Sequence, residues 1–525
     1  MTRIMPADFD VVIIGSGFGG AVCSARLAEA GYRVVVLERG RRWRVEDFPR
    51  NHGDQWMWDD DRPEQKHGWF DFRVFPHMTV VQGAGVGGGS LVYANISVDA
   101  KPDTFTQGWP PEITFDVLAP HYARVGETMN VKKVPANQWP ARTRLLQEAA
   151  EKLGYGDRFR PLDLAVTFDE GWTYEQPDPF NPAKSKPVTN AQGQPQGTCV
   201  HLGECDIGCP VRARNTLDLN YLAVAEAHGA AVKPLHIVRR IRPAGEGYEV
   251  AYEEIVNGRL VSGTVSGRLV IVAAGSLGST QLLLKCREDA AALPDLSAQL
   301  GHNWSSNGDF LTPAIHLGRD VVPTRGPTIT AAVDLLDGRY EGQPVFIEDG
   351  GLPNVADAEL RRLAEREGAD DRERALIATV RLLFTSGALK SVMPWFAQSR
   401  DAGDGRLSLR DGKLFLAWSS AKSKKTIDAV VALHQQMALR TGGLPLTPLT
   451  WTTCGDLITP HPLGGCNMAV AAAQGVVDHK GEVFGYRNLY VADGAIVPEA
   501  LGLNPSKTIA ALAEHIAAGI VAEQR

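Results

Sequence analysis

Residues 9–20 read FDVVIIGSGFGG, and the chain continues as AVCSARLAEAGY. The β-branched run at 9–14 predicts a buried strand, and the small and apolar residues after position 20 recur at helical spacing. Residues 33–37, RVVVL, predict a second buried strand. The first forty residues are therefore predicted to form a βαβ unit with a right-handed crossover.

The glycines between the first strand and the helix fit the pattern G-x-G-x-x-G at Gly15, Gly17 and Gly20. This pattern permits a tight turn, lets the backbone approach a pyrophosphate and aims a helix N-terminus at the phosphates. Glu38 ends the second strand, where a carboxylate can accept hydrogen bonds from ribose hydroxyls. The alternative is a glycine turn that binds nothing. With strand, helix and acid in place, the sequence predicts a dinucleotide site for either FAD or NAD.

Composition limits the remaining classes of protein. The chain has 525 residues, of which 44% are hydrophobic and 22% charged, so it can bury a large core. The net charge is -7 and no run of five basic residues occurs, so nucleic acid is not an expected partner. Residues 1–9 lack the apolar stretch of a secretory signal, and the apolar residues 377–396 include Arg381 and Lys390. We expect a cytoplasmic protein without a transmembrane segment.

The later chain contains further pieces of a nucleotide-binding sheet. A helix is predicted at 217–228, strands at 231–241 and 268–273, and a final helix from residue 507 onward. Residues 356–384 predict two charged amphipathic helices of a cap or insertion. No linker separates independent halves, so we expect interleaved domains.

Four segments resemble, in order and spacing, the signatures of glucose-methanol-choline (GMC) flavoproteins, most closely the branch of the FAD-dependent cholesterol oxidases. The segments are VQGAGVGGGSLVYANI at 81–96, AGSLGSTQLLL at 274–284, HPLGGC at 461–466 and NLYVADGAIVPEALGLNP at 488–505. The resemblance implies an α/β fold in which a doubly wound, Rossmann-like FAD-binding domain interleaves with a substrate domain built on an antiparallel sheet. We assign 1–112, 190–302 and 453–525 to the first domain, and 113–189 and 303–452 to the second, with a helical insertion at about 355–396.

The resemblance also implies cofactor contacts. Residues 87–90 would let the backbone approach the pyrophosphate and the flavin ring, Val238 would hold the adenine through its backbone, and Asp493 with Gly494 would lie against the pyrophosphate and ribityl chain. The full predicted set for FAD is Gly15, Gly17, Phe18, Gly20, Glu38, Gly87, Gly88, Gly89, Ser90, Val238, Ala274, Gly275, Asp493, Gly494, Asn504 and Pro505.

Three residues are predicted to carry catalysis. Hydride transfer from an alcohol requires removal of the hydroxyl proton, and His461, between two prolines, is rigidly placed to do this. Asn504 matches the second catalytic position of the cholesterol oxidase branch; its alternative role is a helix cap. Glu348, in VFIE, resembles the glutamate that moves a proton during double-bond isomerisation, and its alternative is a surface turn. A carboxylate in this apolar run would have a raised pKa.

Cys199, Cys205 and Cys209 lie within eleven residues and could ligate zinc or an iron-sulphur cluster. Reduced structural thiols are the preferred interpretation, so no metal is predicted.

The predicted function is FAD-dependent oxidation of an alcohol to a carbonyl by hydride transfer to flavin N5, with oxygen or an external acceptor as the second partner. Tryptophans 43, 56, 58 and 69 and the pair Trp395 and Phe396 suggest an apolar pocket for a bulky, sterol-like, polycyclic or aryl alcohol. Packing in the core would explain these aromatic residues equally well. The alternatives are an electron-transferring subunit with an iron-sulphur cluster, a non-redox flavin lyase and a protein that binds only NAD.

Overall fold

The computed structural model describes residues 7–523, except 52, 354–373, 375–376, 379–387, 449–450 and 453–454. The amphipathic helices predicted at 356–384 lie outside the described residues, apart from 374, 377 and 378. Among the described residues, no helix combines the length and the apolar composition that crossing a membrane requires.

The α-helices are numbered in chain order. They are α1 Phe18–Glu29, α2 Phe115–Thr128, α3 Ala141–Lys152, α4 Tyr221–Ala227, α5 Gly275–Glu288, α6 Lys424–Arg440 and α7 Ser506–Glu523.

The strands are numbered in the same way. They are β1 Phe9–Ile14, β2 Val34–Leu37, β3 Phe70–Phe75, β4 Met78–Gly83, β5 Lys132–Lys133, β6 Phe159–Pro161, β7 Asp163–Leu164, β8 Pro187–Thr189, β9 Pro195–Gly197, β10 Ala231–Lys233, β11 His236–Ala244, β12 Gly247–Val256, β13 Arg259–Val272, β14 Phe310–Ile315, β15 Ala331–Tyr340, β16 Gln343–Asp349, β17 Val392–Ser399, β18 Arg406–Arg410, β19 Lys413–Ala417, β20 Leu444–Pro445, β21 Leu457–Thr459 and β22 Leu489–Val491.

The first large sheet contains the predicted βαβ unit. Strand β1 pairs in parallel with β2 and with the end of β13, and β10 and β22 extend the parallel part on its two sides. Strands β11, β12 and the start of β13 form an antiparallel arm. Helix α1 packs against α4 and α7. The prediction of an α/β fold that starts with β1, α1 and β2 is confirmed.

The second large sheet is antiparallel, in the order β20, β14, β17, β16, β15, β6. Its strands come from chain segments that alternate with those of the first sheet, as the predicted interleaving requires. Adjacent residues of β16 point to opposite faces. Phe346 therefore joins the core of the first sheet, whereas Val345 and Ile347 join a separate core with α3 and α6.

Three local predictions need correction. Strand β17 pairs with both β14 and β16 in the middle of the sheet, so the predicted insertion cannot extend to 396. Helix α2 packs on α7 through Leu118, Tyr122 and Val125, so residues after 113 also contribute to the first core. The helix predicted at 217–228 is interrupted at Asn220, whose side chain accepts a hydrogen bond from the Tyr221 N–H at the start of α4.

Candidate active site

A cavity of about 600 Å³ lies where the two large sheets meet. Ile14 and Ala273, at the carboxyl ends of β1 and β13, form part of its wall, and Leu311 of β14 and Phe396 of β17 form another part. In open α/β sheets the crevice beyond the carboxyl ends of parallel strands is the usual ligand site. The cavity therefore lies where the topology favours binding.

The first glycine turn opens directly into this cavity. Gly15, Gly17 and Phe18 line it, and helix α1 begins there with no side chain that caps its first amides. These amide groups are available to an anion such as a pyrophosphate. Gly20 does not line the cavity, because its Cα faces the carbonyl oxygen of Gly15 so closely that a Cβ would overlap it. It serves the packing of helix on strand instead of contacting a ligand.

Glu38 also lines the cavity and is buried. Its carboxylate accepts hydrogen bonds from Ser16 N–H at 3.0 Å, Ser16 Oγ at 2.7 Å and Gly40 N–H at 2.8 Å. Burial raises the pKa of Glu38, and these donors act against that shift. The carboxylate is thus fixed beside the first glycine turn with lone pairs left to accept from a ligand hydroxyl.

The residues of the second glycine segment, 87–90, have two different roles. Gly88 and Gly89 line the cavity, and a Cβ at Gly88 would lie 2.6 Å from the Cα of Gly17. Gly87 and Ser90 lie behind them: Ser90 Oγ donates to the Gly87 carbonyl at 2.7 Å and accepts from Leu217 N–H at 3.1 Å. The latter two residues hold the segment in place.

The remaining predicted cofactor residues come from separate elements but share the cavity. They are Val238 of β11, Ala274 and Gly275 at the start of α5, Asp493 and Gly494 after β22, and Asn504 with Pro505 before α7. Asp493 joins two of these elements, since its carboxylate accepts from Gly275 N–H at 2.8 Å and from Ser279 Oγ at 2.5 Å. Uncapped amides, adjacent glycines and a fixed acid together suit a dinucleotide such as FAD.

His461 lines the cavity with one side of its ring and is held from the other. Its Nδ1 lies 2.9 and 3.0 Å from the two carboxylate oxygens of Asp309. Thr459 Oγ1 lies 2.6 Å from the same carboxylate and accepts from the His461 N–H. The Asp309 side chain is 0% exposed and that of His461 18%. Nδ1–H donates to Asp309, which leaves Nε2 as the nitrogen for chemistry.

Asp309 was not identified from the sequence. Burial raises its pKa, whereas the adjacent His461 and Thr459 lower it. The available signal was a carboxylate in NGDF, immediately before the strand that starts at Phe310. Nothing in the chain around residue 309 indicates that it meets a histidine 152 positions later, so only the fold reveals the pair.

The structure places Asn504 close to Glu348. Asn504 lines the cavity, while Glu348 lies on β16 with 0% exposure and does not line it. The amides of Asn504 and Gln398 approach the Glu348 carboxyl group without reaching hydrogen-bond geometry. Burial raises the pKa of Glu348 well above its usual range. Both carboxyl oxygens of Glu348 and Asn504 Oδ1 lack a partner among the described residues, as a group awaiting a ligand or water would.

The aromatic residues contribute less to the cavity than expected. Of the predicted set only Phe396 lines it, with its ring 6.3 Å from that of His461. Trp43 and Trp69 pack edge to face at 5.1 Å, and Trp395 is fully buried on the far face of β17. The apolar lining of the cavity includes Leu311, Ile329, Ile458 and Pro460 in addition to Phe396.

The three clustered cysteines are all described and are all held in the thiol form by burial, which raises the pKa of each. Within the described part of the chain, no group of three histidine, cysteine or acidic side chains is arranged to share a metal ion. Cys199 and Cys209 instead accept hydrogen bonds from the backbone N–H groups of His201 and Ala213. That these cysteines are structural thiols stays a prediction.

Comparison with known families gives two matches. A family model described as GMC oxidoreductase matches residues 425–513, and one described as an NAD(P)-binding Rossmann-like domain matches residues 13–67.

Two curated relatives match almost the whole chain. Cholesterol oxidase from Acinetobacter baumannii is 33% identical and the alignment covers 97% of this chain and 93% of that protein. Cholesterol oxidase from Mycobacterium tuberculosis strain H37Rv is 32% identical, with 98% and 91% covered. Among solved structures, pyridoxine 4-oxidase from Mesorbium loti superimposes with a TM-score of 0.63 at 16% identity, over 97% of this chain and 98% of that one. The structural match concerns the fold alone.

Proposed function

Because this chain belongs to the GMC oxidoreductase family, and is therefore an FAD-dependent enzyme that acts on CH–OH groups, we propose that its substrate is a bulky, lipophilic alcohol of the sterol type. The observation that carries the proposal is the single cavity in which His461 and Asn504 share a wall with Leu311, Phe396 and Ile458. Polar groups at one end and apolar groups beside them suit a secondary alcohol on a large hydrocarbon. The relatives named cholesterol oxidase support the same class.

Gly15, Gly17, Glu38 and Asp493 would hold FAD, whose chemistry when bound would be to accept a hydride from the alcohol carbon. His461 Nε2 takes the hydroxyl proton, and Asp309 holds the imidazole in the orientation that this transfer requires. Asn504 holds the substrate oxygen by its side-chain amide. The alcohol thus loses a hydride from carbon and a proton from oxygen, and becomes a carbonyl compound.

For a sterol whose double bond is separated from the new carbonyl by one carbon, Glu348 has a further role. Its buried carboxyl group, with a raised pKa, suits removal of a proton from the carbon between the carbonyl and the double bond. The same carboxyl group returns that proton at the far end of the shifted double bond. This step conserves atoms and charge and requires no oxidant.

The test is an absorbance spectrum of the purified protein before and after anaerobic addition of sterols, aryl alcohols and sugars. Flavin bands that bleach with sterols, and only weakly with aryl alcohols and sugars, support the proposal. Bleaching only by small alcohols would contradict the sterol class, and flavin that no alcohol reduces would favour a non-redox lyase. Readmitting oxygen then tests the acceptor, because an oxidase recovers its oxidised spectrum and forms hydrogen peroxide.

His461→Ala provides the control for the chemistry. This variant should keep the flavin absorbance but lose most of its turnover, by about a hundredfold or more, since proton transfer by a placed side chain contributes that much. Full activity in His461→Ala would remove His461 from the mechanism.

A further inference from the structure

The cysteine segment at 199–209 holds one acidic side chain against the cavity. Asp206 lies between the buried residues Cys205 and Ile207, and lines the cavity. The backbone around it is fixed: the Asp206 carbonyl accepts from Trp69 Nε1 at 3.0 Å, and Arg50 donates to the Ile207 carbonyl at 2.7 Å. The reduced cysteines thus pack a loop that presents a carboxylate to the cavity.

Asp206 has a hydroxyl partner in the same wall. Thr328 Oγ1 donates to Asp206 Oδ1 at 3.1 Å, and both residues line the cavity. The same cavity is also lined by Tyr93, Ile329 and Pro353, whose side chains are predominantly apolar. Asp206 and Thr328 therefore form a small polar spot in apolar surroundings, which we call the Asp206–Thr328 pair.

The Asp206–Thr328 pair lies near the catalytic groups but apart from them. A Cβ at Gly351 would lie 2.8 Å from the carbonyl oxygen of Thr328. Gly351 is three residues beyond Glu348, and three residues span at most about 10 Å of extended chain. Thr328 is thus within roughly the length of one polycyclic substrate of the Glu348 and Asn504 side chains.

The charge around Asp206 indicates which ligand it can take. Burial raises the pKa of Asp206 to about 6, whereas the guanidinium groups of Arg214 and Arg142 lower it. Both arginines are buried and donate mainly to backbone carbonyl oxygens. Because the charges of two nearby guanidinium groups already act on the carboxylate, a neutral hydrogen-bond donor matches it better than a further cation does.

We propose that Asp206 and Thr328 form a second polar subsite, which binds a hydroxyl group of the substrate remote from the carbon that is oxidised. This inference rests on the proposed function and narrows it: the preferred substrates are lipophilic alcohols that carry a second hydroxyl group. Asp206 accepts the hydrogen bond of that hydroxyl, and Thr328 orients the carboxylate. No covalent step is involved.

The test compares matched substrates under anaerobic conditions, with flavin reduction as the readout. Each pair consists of a sterol with one ring hydroxyl and the same sterol with a second hydroxyl on its side chain or on its distal ring. The wild type should prefer one of the dihydroxy members by about tenfold or more in kcat/KM, the range expected for a hydrogen bond to a charged group. Asp206→Leu and Thr328→Val should lose that preference while they reduce with the monohydroxy sterol within about twofold of the wild type.

Glu204→Gln is the matched control, because Glu204 belongs to the same loop but pairs with Arg50. It should keep the wild-type preference. Equal loss for both members of each pair in Asp206→Leu and Thr328→Val would overturn the subsite, and so would a wild type that prefers none of the dihydroxy sterols. A stronger preference for an amine in place of the second hydroxyl would also contradict it. Failure of the proposed function has a different signature, since then no sterol in the panel reduces the wild-type flavin.

Discussion

The Nδ1 atom of His461 is hydrogen-bonded to Asp309, which leaves Nε2 as the nitrogen that can accept a proton from the substrate. A buried carboxylate that accepts from Nδ1–H fixes both the tautomer and the direction of the ring. It also stabilises the imidazolium that forms when Nε2 takes a proton from the alcohol. The pair is therefore a unit in which Asp309 positions His461 and His461 contacts the substrate.

Replacing Asp309 should separate these two roles. In Asp309→Asn the carboxamide can no longer stabilise an imidazolium, so we expect the rate of flavin reduction to fall by about a hundredfold or more while FAD remains bound. The measurement is stopped-flow reduction over a range of pH, in which the ionisation that limits the rate should also move. Asp401→Asn is a suitable control: Asp401 is a partly buried aspartate near the same segment, but its carboxylate accepts from Ser305 and Ser306. An unchanged rate and pH profile in Asp309→Asn would show that His461 needs no carboxylate partner.

Glu348 should act in the isomerisation step and not in the oxidation of the alcohol. Glutamine has no proton to transfer near neutral pH, so Glu348→Gln should oxidise a 5-ene sterol at a rate within about tenfold of the wild type but accumulate the unconjugated ketone. Chromatography of the product, together with the ultraviolet absorption of the conjugated enone, measures this ratio. Equal loss of oxidation and isomerisation would mean instead that Glu348 acts on the hydroxyl group.

At the scale of elements, the glycine turn before α1 shows how one short segment serves both folding and binding. A Cβ at Gly17 would meet only the Cα of Gly88, at 3.9 Å, and would otherwise project into the cavity. A Cβ at Gly19 would overlap the carbonyl oxygen of Ala492, directly after β22. Gly17 therefore leaves space for the ligand, whereas Gly19 leaves space for the backbone carbonyl of Ala492.

Two substitutions should therefore fail in different ways. Gly17→Val should fold but purify without FAD, because its side chain occupies cofactor space. Gly19→Ala should lose stability by about 3 kcal/mol or more, since the helix has to move away from the β22 turn. Absorbance per mole of protein and thermal unfolding measure the two effects. A yellow Gly17→Val protein would contradict the assignment of this turn to the pyrophosphate.

The sequence predicted elements well where the signal was local and poorly where it depended on distant pairing. The β1 strand, the α1 helix and the β2 strand follow from periodicity and glycine spacing within forty residues. Strand β17 was missed because its residues are buried on both faces, so an apolar run replaces the alternation that marks a strand. Asp309 and Asp206 were missed for the same kind of reason, since neither has a local motif and each is defined by partners far along the chain.

At the scale of the whole molecule, both large sheets form walls of the cavity, and Ala332 and Phe346 of the second sheet also pack into the core of the first. The first sheet contributes the glycine turns, Glu38 and Asp493, and the second contributes Leu311 and Phe396. A ligand that contacts both walls binds the folded state and not the unfolded chain, so it stabilises the molecule by mass action. At a thousandfold excess over its dissociation constant, FAD should add about 4 kcal/mol to the free energy of unfolding.

Hydrogen exchange with and without FAD can show whether that stabilisation reaches both sheets. After FAD removal and reconstitution, we expect added protection in β1 and the start of α1, where the backbone forms the cofactor wall, and also in β14 and β17, where the wall belongs to the second sheet. Gly17→Val supplies the control, because FAD should then protect neither region. Protection confined to the first sheet would mean that the cofactor does not stabilise the second sheet.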